Sequence, residues 1–174
     1  ITLNTSADEI AVCNLGSINL AKHMKEGVLD QEKIKQTVST AIRMLDNVIN
    51  INYYSVETAR NSNMKHRPIG LGMMGFQDAL YVQDIAYCSN EAVEFADRSM
   101  ELISYHAIHA STELAKERGS YETFEGSLWS KGILPKDSIE ILAENRGNEY
   151  LNVDKSETLD WDTLRKKVVS DGMR

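Results

Sequence analysis

Apolar positions change their spacing several times along the chain, and each change marks an expected element. Ile10 to Leu20 (Ile-Ala-Val-Cys-Asn-Leu-Gly-Ser-Ile-Asn-Leu) is apolar and β-branched at first, then turn-like around Gly16-Ser17, which predicts a short buried strand leading into a loop. After Asp30, whose carboxylate can cap a helix, Ile34, Val38, Ala41, Ile42, Leu45, Val48 and Ile49 recur at spacings of three and four, the pattern of one helical face. Residues 52–67 are polar and suggest no element of their own. Pro68-Ile-Gly-Leu-Gly-Met73 alternates apolar residues with glycine, as a short strand packed closely against a neighbour would, and a helix is expected from Phe76 to Tyr81. The longest periodic stretch runs from about Asn90 to Lys116, with Val93, Ala96, Met100, Ile103, Ala107, Ala110 and Leu114 expected on one face and Gly119 as its terminator. Residues 120–150 are mixed and turn-rich around Gly126, Gly132 and Pro135. A last helix is expected from Trp161 to Val169 with Asp160 as its cap. The sum is an α/β chain dominated by helix.

Length and charge narrow the class. At 174 residues the chain suits one domain rather than two. Its 19 Lys and Arg against 26 Asp and Glu give a net charge of −7, the wrong sign for a phosphate-backbone partner or an anionic membrane surface. No apolar run reaches the roughly 20 residues a membrane span needs. Cys13 and Cys88 make neither a disulfide framework nor a zinc site. A cytoplasmic protein without nucleic-acid or membrane partners is the expectation. The opening Ile-Thr-Leu-Asn-Thr resembles no secretory leader, and the chain reads as a piece from inside a longer protein.

Three local patterns carry possible chemistry. Gly70-Leu-Gly72-Met-Met-Gly75 matches the dinucleotide fingerprint in spelling, but that fingerprint needs a buried strand immediately upstream, and Asn63-Met-Lys-His-Arg-Pro68 is polar, so tight strand–helix packing is preferred. His106, His109 and Glu113 share one helical face as metal ligands might, yet the chain has no matching Glu-x-x-His, so no metal is assigned; His23 and His66 look isolated. By local chemistry alone Cys13 and Cys88 read as small packing residues.

Resemblance changes the reading of Cys13. ITLNTSADEIAVCNLGSINL (residues 1–20), RPIGLGMMGFQDAL (67–80), ASTELAKERGSYETFEGSLWSKGILP (110–135), and Trp161-x-x-Leu164 followed after seven residues by Gly172-Met173-Arg174 together resemble the large catalytic subunit of ribonucleotide reductase, in order and over nearly the whole chain. The resemblance implies that residues 1–174 are part of a catalytic domain built as a ten-stranded α/β barrel, of which this chain supplies a helix-rich portion without the regulatory nucleotide-binding domain. It further implies that Cys13 is one member of the dithiol pair that reduces the ribose, its partner lying outside this chain, and that Leu15 lies near the substrate. Cys88 matches no catalytic position.

The same resemblance implies that the radical cysteine and the phosphate-binding loop lie beyond the two ends. The implied parent reduces ribonucleoside diphosphates with nucleotide effectors (ATP or dATP), a radical from a metal-containing small subunit, and a thioredoxin- or glutaredoxin-type reductant. Class I is favoured over the adenosylcobalamin class, although the two share CNLGSINL. Groups that act as a unit fail together when one is absent, so the isolated 174-residue chain is expected to be inactive and to expose strand edges and apolar faces. The competing expectations are a nucleotide-binding module on Gly70–Gly75 and a non-catalytic scaffold in which Cys13 only packs.

Overall fold

Two short parallel strands and the long helices stacked on them organise the chain. The computed structural model describes Leu3, residues 5–151 and residues 153–174; Ile1, Thr2 and Asn4 of the first block of resemblance lie outside the described residues. Strand β1 (Asn14–Asn19) pairs in parallel with β4 (Ile69–Met74), Asn14 opposite Ile69 through to Asn19 opposite Met74. Between them the chain makes a small hairpin, β2 (Met24–Lys25) with β3 (Val28–Leu29), then α1 (Gln31–Ile51) and α2 (Glu57–His66). Parallel strands require such a long crossover. After β4 come α3 (Phe76–Val82), α4 (Asn90–Arg118), α5 (Ser138–Arg146) and α6 (Trp161–Asp171). Six α-helices against four strands, two of them only two residues long, make a helix-rich α/β architecture, with no closed barrel among the described residues.

Helix ends follow local chemistry. Asp30 Oδ1 accepts from Lys33 N at 3.0 Å, Ser89 Oγ from Ala92 N at 3.1 Å and Asp160 Oδ1 from Thr163 N at 3.0 Å, each satisfying a free donor of a first turn. α4 stops at Gly119 and α6 at Gly172, both at positive φ. α1 buries Ile34, Val38, Ile42, Leu45 and Ile49, the face its spacing predicts, and packs against β1 and α4. Burying each such side chain contributes about 1.5–3 kcal/mol.

Four expectations are corrected. The strand begins at Asn14 rather than Ile10, and Gly16-Ser17 sit in mid-strand instead of a turn, because a strand exists only where a partner lies, and β4 lies opposite residues 14–19. In α4 Ile103, Ala110 and Leu114 are buried as expected, but the first half of the helix turns Ala92, Phe95, Ser99 and Leu102 inward and leaves Val93 69% exposed. Phe95 stacks on Phe76 with ring centroids 5.6 Å apart, and that large contact sets the helix's rotation. The polar stretch 52–67 contains α2, whose inward side is Ala59, Ser62 and Asn63; Asn63 Nδ2 donates to Tyr54 Oη at 3.1 Å, which in turn donates to Ile49 O at 2.7 Å. Hydrogen bonds there replace apolar packing, which hydrophobic periodicity does not register. The turn-rich span after Gly119 holds α5, a helix with no buried residue.

Two cores result. One joins β1, β4, α1, α3 and α4; the other collects Ile108, Phe124, Leu134, Trp161, Leu164, Val168 and Met173 beneath α6. Glu101 of α4 fastens the approach to α6, accepting from Thr158 N at 2.8 Å, Thr158 Oγ1 at 2.6 Å and Trp161 Nε1 at 3.1 Å. No described helix is long and apolar enough to cross a membrane.

Candidate functional site

Side chains alternate across a strand, so the β1–β4 register sorts the ladder into two faces. The helix-covered face holds Gly16 and Ile18 with Leu71 and Met73. A Cβ built on Gly16 would meet Leu71 Cδ1 at 3.5 Å and Leu45 Cδ1 at 3.8 Å, so this face lies against α1. The opposite face carries Leu15 and Ser17 beside Gly70 and Gly72, with Met74 at its end. Among the described residues no helix covers Leu15, which is 70% exposed, or Met74, at 54%.

Cys13, one residue before β1, sits on this open face. A Cβ on Gly70 would lie 2.6 Å from Leu15 Cδ2 and 3.5 Å from Cys13 Sγ, which puts the thiol and the leucine side by side over a floor that has no side chain. The thiol is half-buried and, among the described residues, unpaired, with a long 3.8 Å contact to Asn14 O as its one hydrogen bond. The two residues singled out in the sequence, Cys13 and Leu15, are thus neighbours on one accessible surface. Cys88 is also free and is exposed just before α4.

The dinucleotide reading does not survive this geometry. Gly70 and Gly72 lie inside β4, paired with β1, and Gly75, at φ +70°, precedes a helix of seven residues without a side-chain cap. The glycines serve close approach: a Cβ on Gly75 would lie 2.8 Å from Asn19 Oδ1. The histidines are accounted for separately. Burial, with the charge of Lys35 or Lys167, holds His106 and His109 below the ordinary imidazole value, and Glu113 is paired with Lys167. Among the described residues no group of three His, Cys, Asp or Glu could hold a metal ion. His23 bridges Asn19 O at 2.7 Å and Thr37 Oγ1 at 2.9 Å.

His66 is not isolated, contrary to the sequence reading. An ionised Glu9 can only accept, so His66 Nε2–H donates to Glu9 Oε2 at 2.6 Å while Lys65 Nζ donates to Glu9 Oε1 at 2.7 Å; His66 Nδ1 lies 2.9 Å from Thr123 Oγ1. The Lys65 hydrogen bond, then that of His66, holds the Glu9 carboxyl below the ordinary carboxylate value.

Arg67, at a left-handed φ of +48°, caps α2 and leads into β4. Its Nε donates to Asp46 Oδ1 at 2.9 Å, its Nη2 to Asp46 Oδ1 at 2.5 Å and Asp46 O at 2.9 Å, and its Nη1 to Asn50 Oδ1 at 3.0 Å. Asp46 also accepts from Arg118 Nη1 at 2.6 Å and Arg174 Nε at 3.1 Å. Burial pushes the Asp46 carboxyl up, but the hydrogen bonds of Arg67 and Arg118 and the charges of Arg67 and Arg174 outweigh it, leaving Asp46 below its ordinary value. Sequence gave no sign of either cluster, since Glu9 is 57 residues from His66 and Asp46 is 21 from Arg67. An open cavity of about 1060 Å³ borders His66, Arg67, Ile69, Leu71 and Tyr121 but includes neither Cys13 nor Leu15.

A parallel ladder covered by helices on one face, with a free thiol on the other, is what a segment of an α/β barrel wall looks like when its inner surface is open. Comparison with known proteins agrees. A family model described as "Ribonucleotide reductase, barrel domain" matches residues 1–174. The chain is 56% identical over its whole length to the ribonucleoside-diphosphate reductase subunit alpha of Chlamydia muridarum, covering 17% of that protein. It is 44% identical over 95% of its length to the subunit alpha of Helicobacter pylori, and 42% identical over 98% to the large subunit of Caenorhabditis elegans, covering 20% of each. The chain belongs to the ribonucleotide reductase barrel-domain family, and it spans about a fifth of the length of these relatives.

Proposed function

We propose that this chain is the part of a ribonucleoside-diphosphate reductase large subunit that presents one of the two reducing thiols to the substrate, and that Cys13 is that thiol. The observation carrying the reading is the pairing of Cys13 with exposed Leu15 over the Gly70 floor, in a chain whose family has just been established.

The chemistry needs two thiols. The ribose C2′–OH bond breaks and a C2′–H bond forms; the hydroxyl leaves as water. Cys13 and a partner cysteine outside this chain together supply two electrons and two protons and become a disulfide, which thiol–disulfide exchange with a small dithiol reductant resets. Leu15 gives the substrate an apolar surface beside the thiol, and Gly70, with no side chain, leaves room for a sugar ring. Radical initiation is assigned to a metal-containing small subunit, and effector control by ATP or dATP to parts of the large subunit outside residues 1–174. The relatives' names, "subunit alpha" and "large subunit", support a multi-subunit, class I enzyme over a cobalamin-dependent one.

Cys13→Ser and Cys88→Ser in the complete large subunit test this. With small subunit and dithiol reductant present, the Cys13 variant is expected to lose deoxynucleotide formation and the Cys88 variant to retain it. A Cys13→Ser enzyme with normal turnover overturns the proposal.

A further inference from the structure

The polar tripeptide Lys65-His66-Arg67, at the end of α2 just before β4, holds the Cys13 segment directly on one side and through β4 on the other. Lys65 and His66 both hold Glu9, four residues before the cysteine. Arg67 is pinned by Asp46 of α1 and stands two residues before Ile69, which pairs with Asn14, the residue directly after the cysteine. Two consecutive side chains thereby fix the chain before the thiol, and the third anchors the start of the strand that pairs with the chain after it.

Two features mark this as more than a surface ion-pair cluster. Arg67 and Asp46 are both almost wholly buried, with side chains only 3% and 4% exposed. Arg67 also adopts a left-handed backbone that non-glycine residues avoid, and such strain persists only where the surroundings over-determine it. Its guanidinium reaches three acceptor atoms, Asp46 Oδ1, Asp46 O and Asn50 Oδ1, and its backbone N–H donates to a fourth, Asn63 O. Ile10 N adds a bond to Thr58 O of α2 at 3.1 Å, so the arm leading to Cys13 is tied to the same helix.

We infer that Lys65-His66-Arg67, acting with Glu9 and Asp46, is a positioning element that sets where the Cys13 thiol stands over the Gly70 floor. The inference rests on the reading of Cys13 as a reducing thiol. It adds the residues that hold that thiol in place, none of which touches the reacting atoms.

The test uses the complete large subunit with its small subunit, in the variants Glu9→Gln, Arg67→Lys and Arg165→Gln. Arg165 of α6 pairs with Asp137 at 2.6 Å, away from the Cys13 segment, and serves as a control for the general loss of an ion pair. The pre-reduced protein is alkylated with iodoacetamide, and peptide mass spectrometry gives the rate at Cys13 relative to exposed Cys88. In Glu9→Gln and Arg67→Lys the Cys13:Cys88 ratio is expected to rise at least about threefold, while kcat falls by about tenfold and KM for the nucleoside diphosphate stays within about twofold, since a displacement near 1 Å acts on the chemical step. Arg165→Gln is expected to leave the ratio and kcat unchanged.

Folded Glu9→Gln and Arg67→Lys proteins with the wild-type ratio and wild-type kcat overturn the inference. If Arg67→Lys does not fold, Glu9→Gln alone decides. Cys13→Ser separates the two proposals: normal turnover in that variant overturns the role of Cys13, whereas the alkylation ratio judges the positioning element by itself.

Discussion

Gly70→Ala is expected to leave the fold intact and damage function. Gly70 has no positive φ, so alanine fits its backbone, and reduced freedom of the unfolded chain contributes about 0.4–1 kcal/mol in its favour. The new methyl, however, would lie 2.6 Å from Leu15 Cδ2, and that side chain must withdraw to ordinary contact near 3.4 Å, a shift of about 0.8 Å. Leu15 is exposed and free to turn, at a rotamer cost of about 0.5–1.5 kcal/mol. The two effects nearly cancel, leaving stability within about 1 kcal/mol of wild type and the thermal midpoint within a few degrees. Cys13 Sγ, at 3.5 Å from the same methyl, is touched without being pushed.

Function responds differently, because a displacement near 1 Å at a substrate-facing group can cost on the order of 100-fold in rate. Single-turnover deoxynucleotide formation by the pre-reduced large subunit is expected to fall at least about tenfold in Gly70→Ala. Gly72→Ala is the control: its Cβ would meet only Ser17 Oγ at 3.8 Å, so neither stability nor rate should change. Equal rates in both variants would refute the reasoning, as would a Gly70→Ala protein whose rate falls only in step with its folded fraction.

Other predictions follow from the buried charges. Asp46→Asn leaves Arg67 buried without its carboxylate and is expected to cost about 3–5 kcal/mol by chemical denaturation. Because the folded Asp46 carboxyl lies below its unfolded value of 3.8, its stabilisation is complete above that pH and is lost as pH falls through the folded value, so the acid limb of a stability–pH curve should be shallower in the variant. Glu101→Ala strands the donors of Thr158 and Trp161; a loss of about 2 kcal/mol and a red-shifted Trp161 emission are expected, and an unchanged melting curve would contradict the packing described. The 174-residue chain on its own, supplied with small subunit, nucleotide and reductant, should form no deoxynucleotide.

What the sequence disclosed was local. Asp30, Asp160 and Gly119 act on residues within four positions, so the ends of α1, α4 and α6 could be read from spacing. β1 could not be placed correctly, because Gly16-Ser17 has turn chemistry and becomes strand only through pairing with residues 55 positions away. The rotation of α4 depends on Phe95 meeting Phe76, a contact periodicity cannot weigh against Val93. Asp46 gathers arginines from 67, 118 and 174, and no local pattern links them. Cys13 is the instructive case: its immediate chemistry favoured plain packing, the resemblance of its flanking residues pointed to redox work, and the open glycine-floored face gives that second reading a geometry.

The central claim is that Cys13 is consumed as a reductant. The most direct measurement allows the complete, pre-reduced large subunit one round of turnover with its small subunit and nucleoside diphosphate but no external dithiol, then alkylates free thiols and maps disulfides by mass spectrometry. The account predicts Cys13 in a disulfide with a cysteine from outside residues 1–174, formed in step with deoxynucleotide, and Cys88 still alkylated. Product formed while Cys13 remains a free thiol would contradict it.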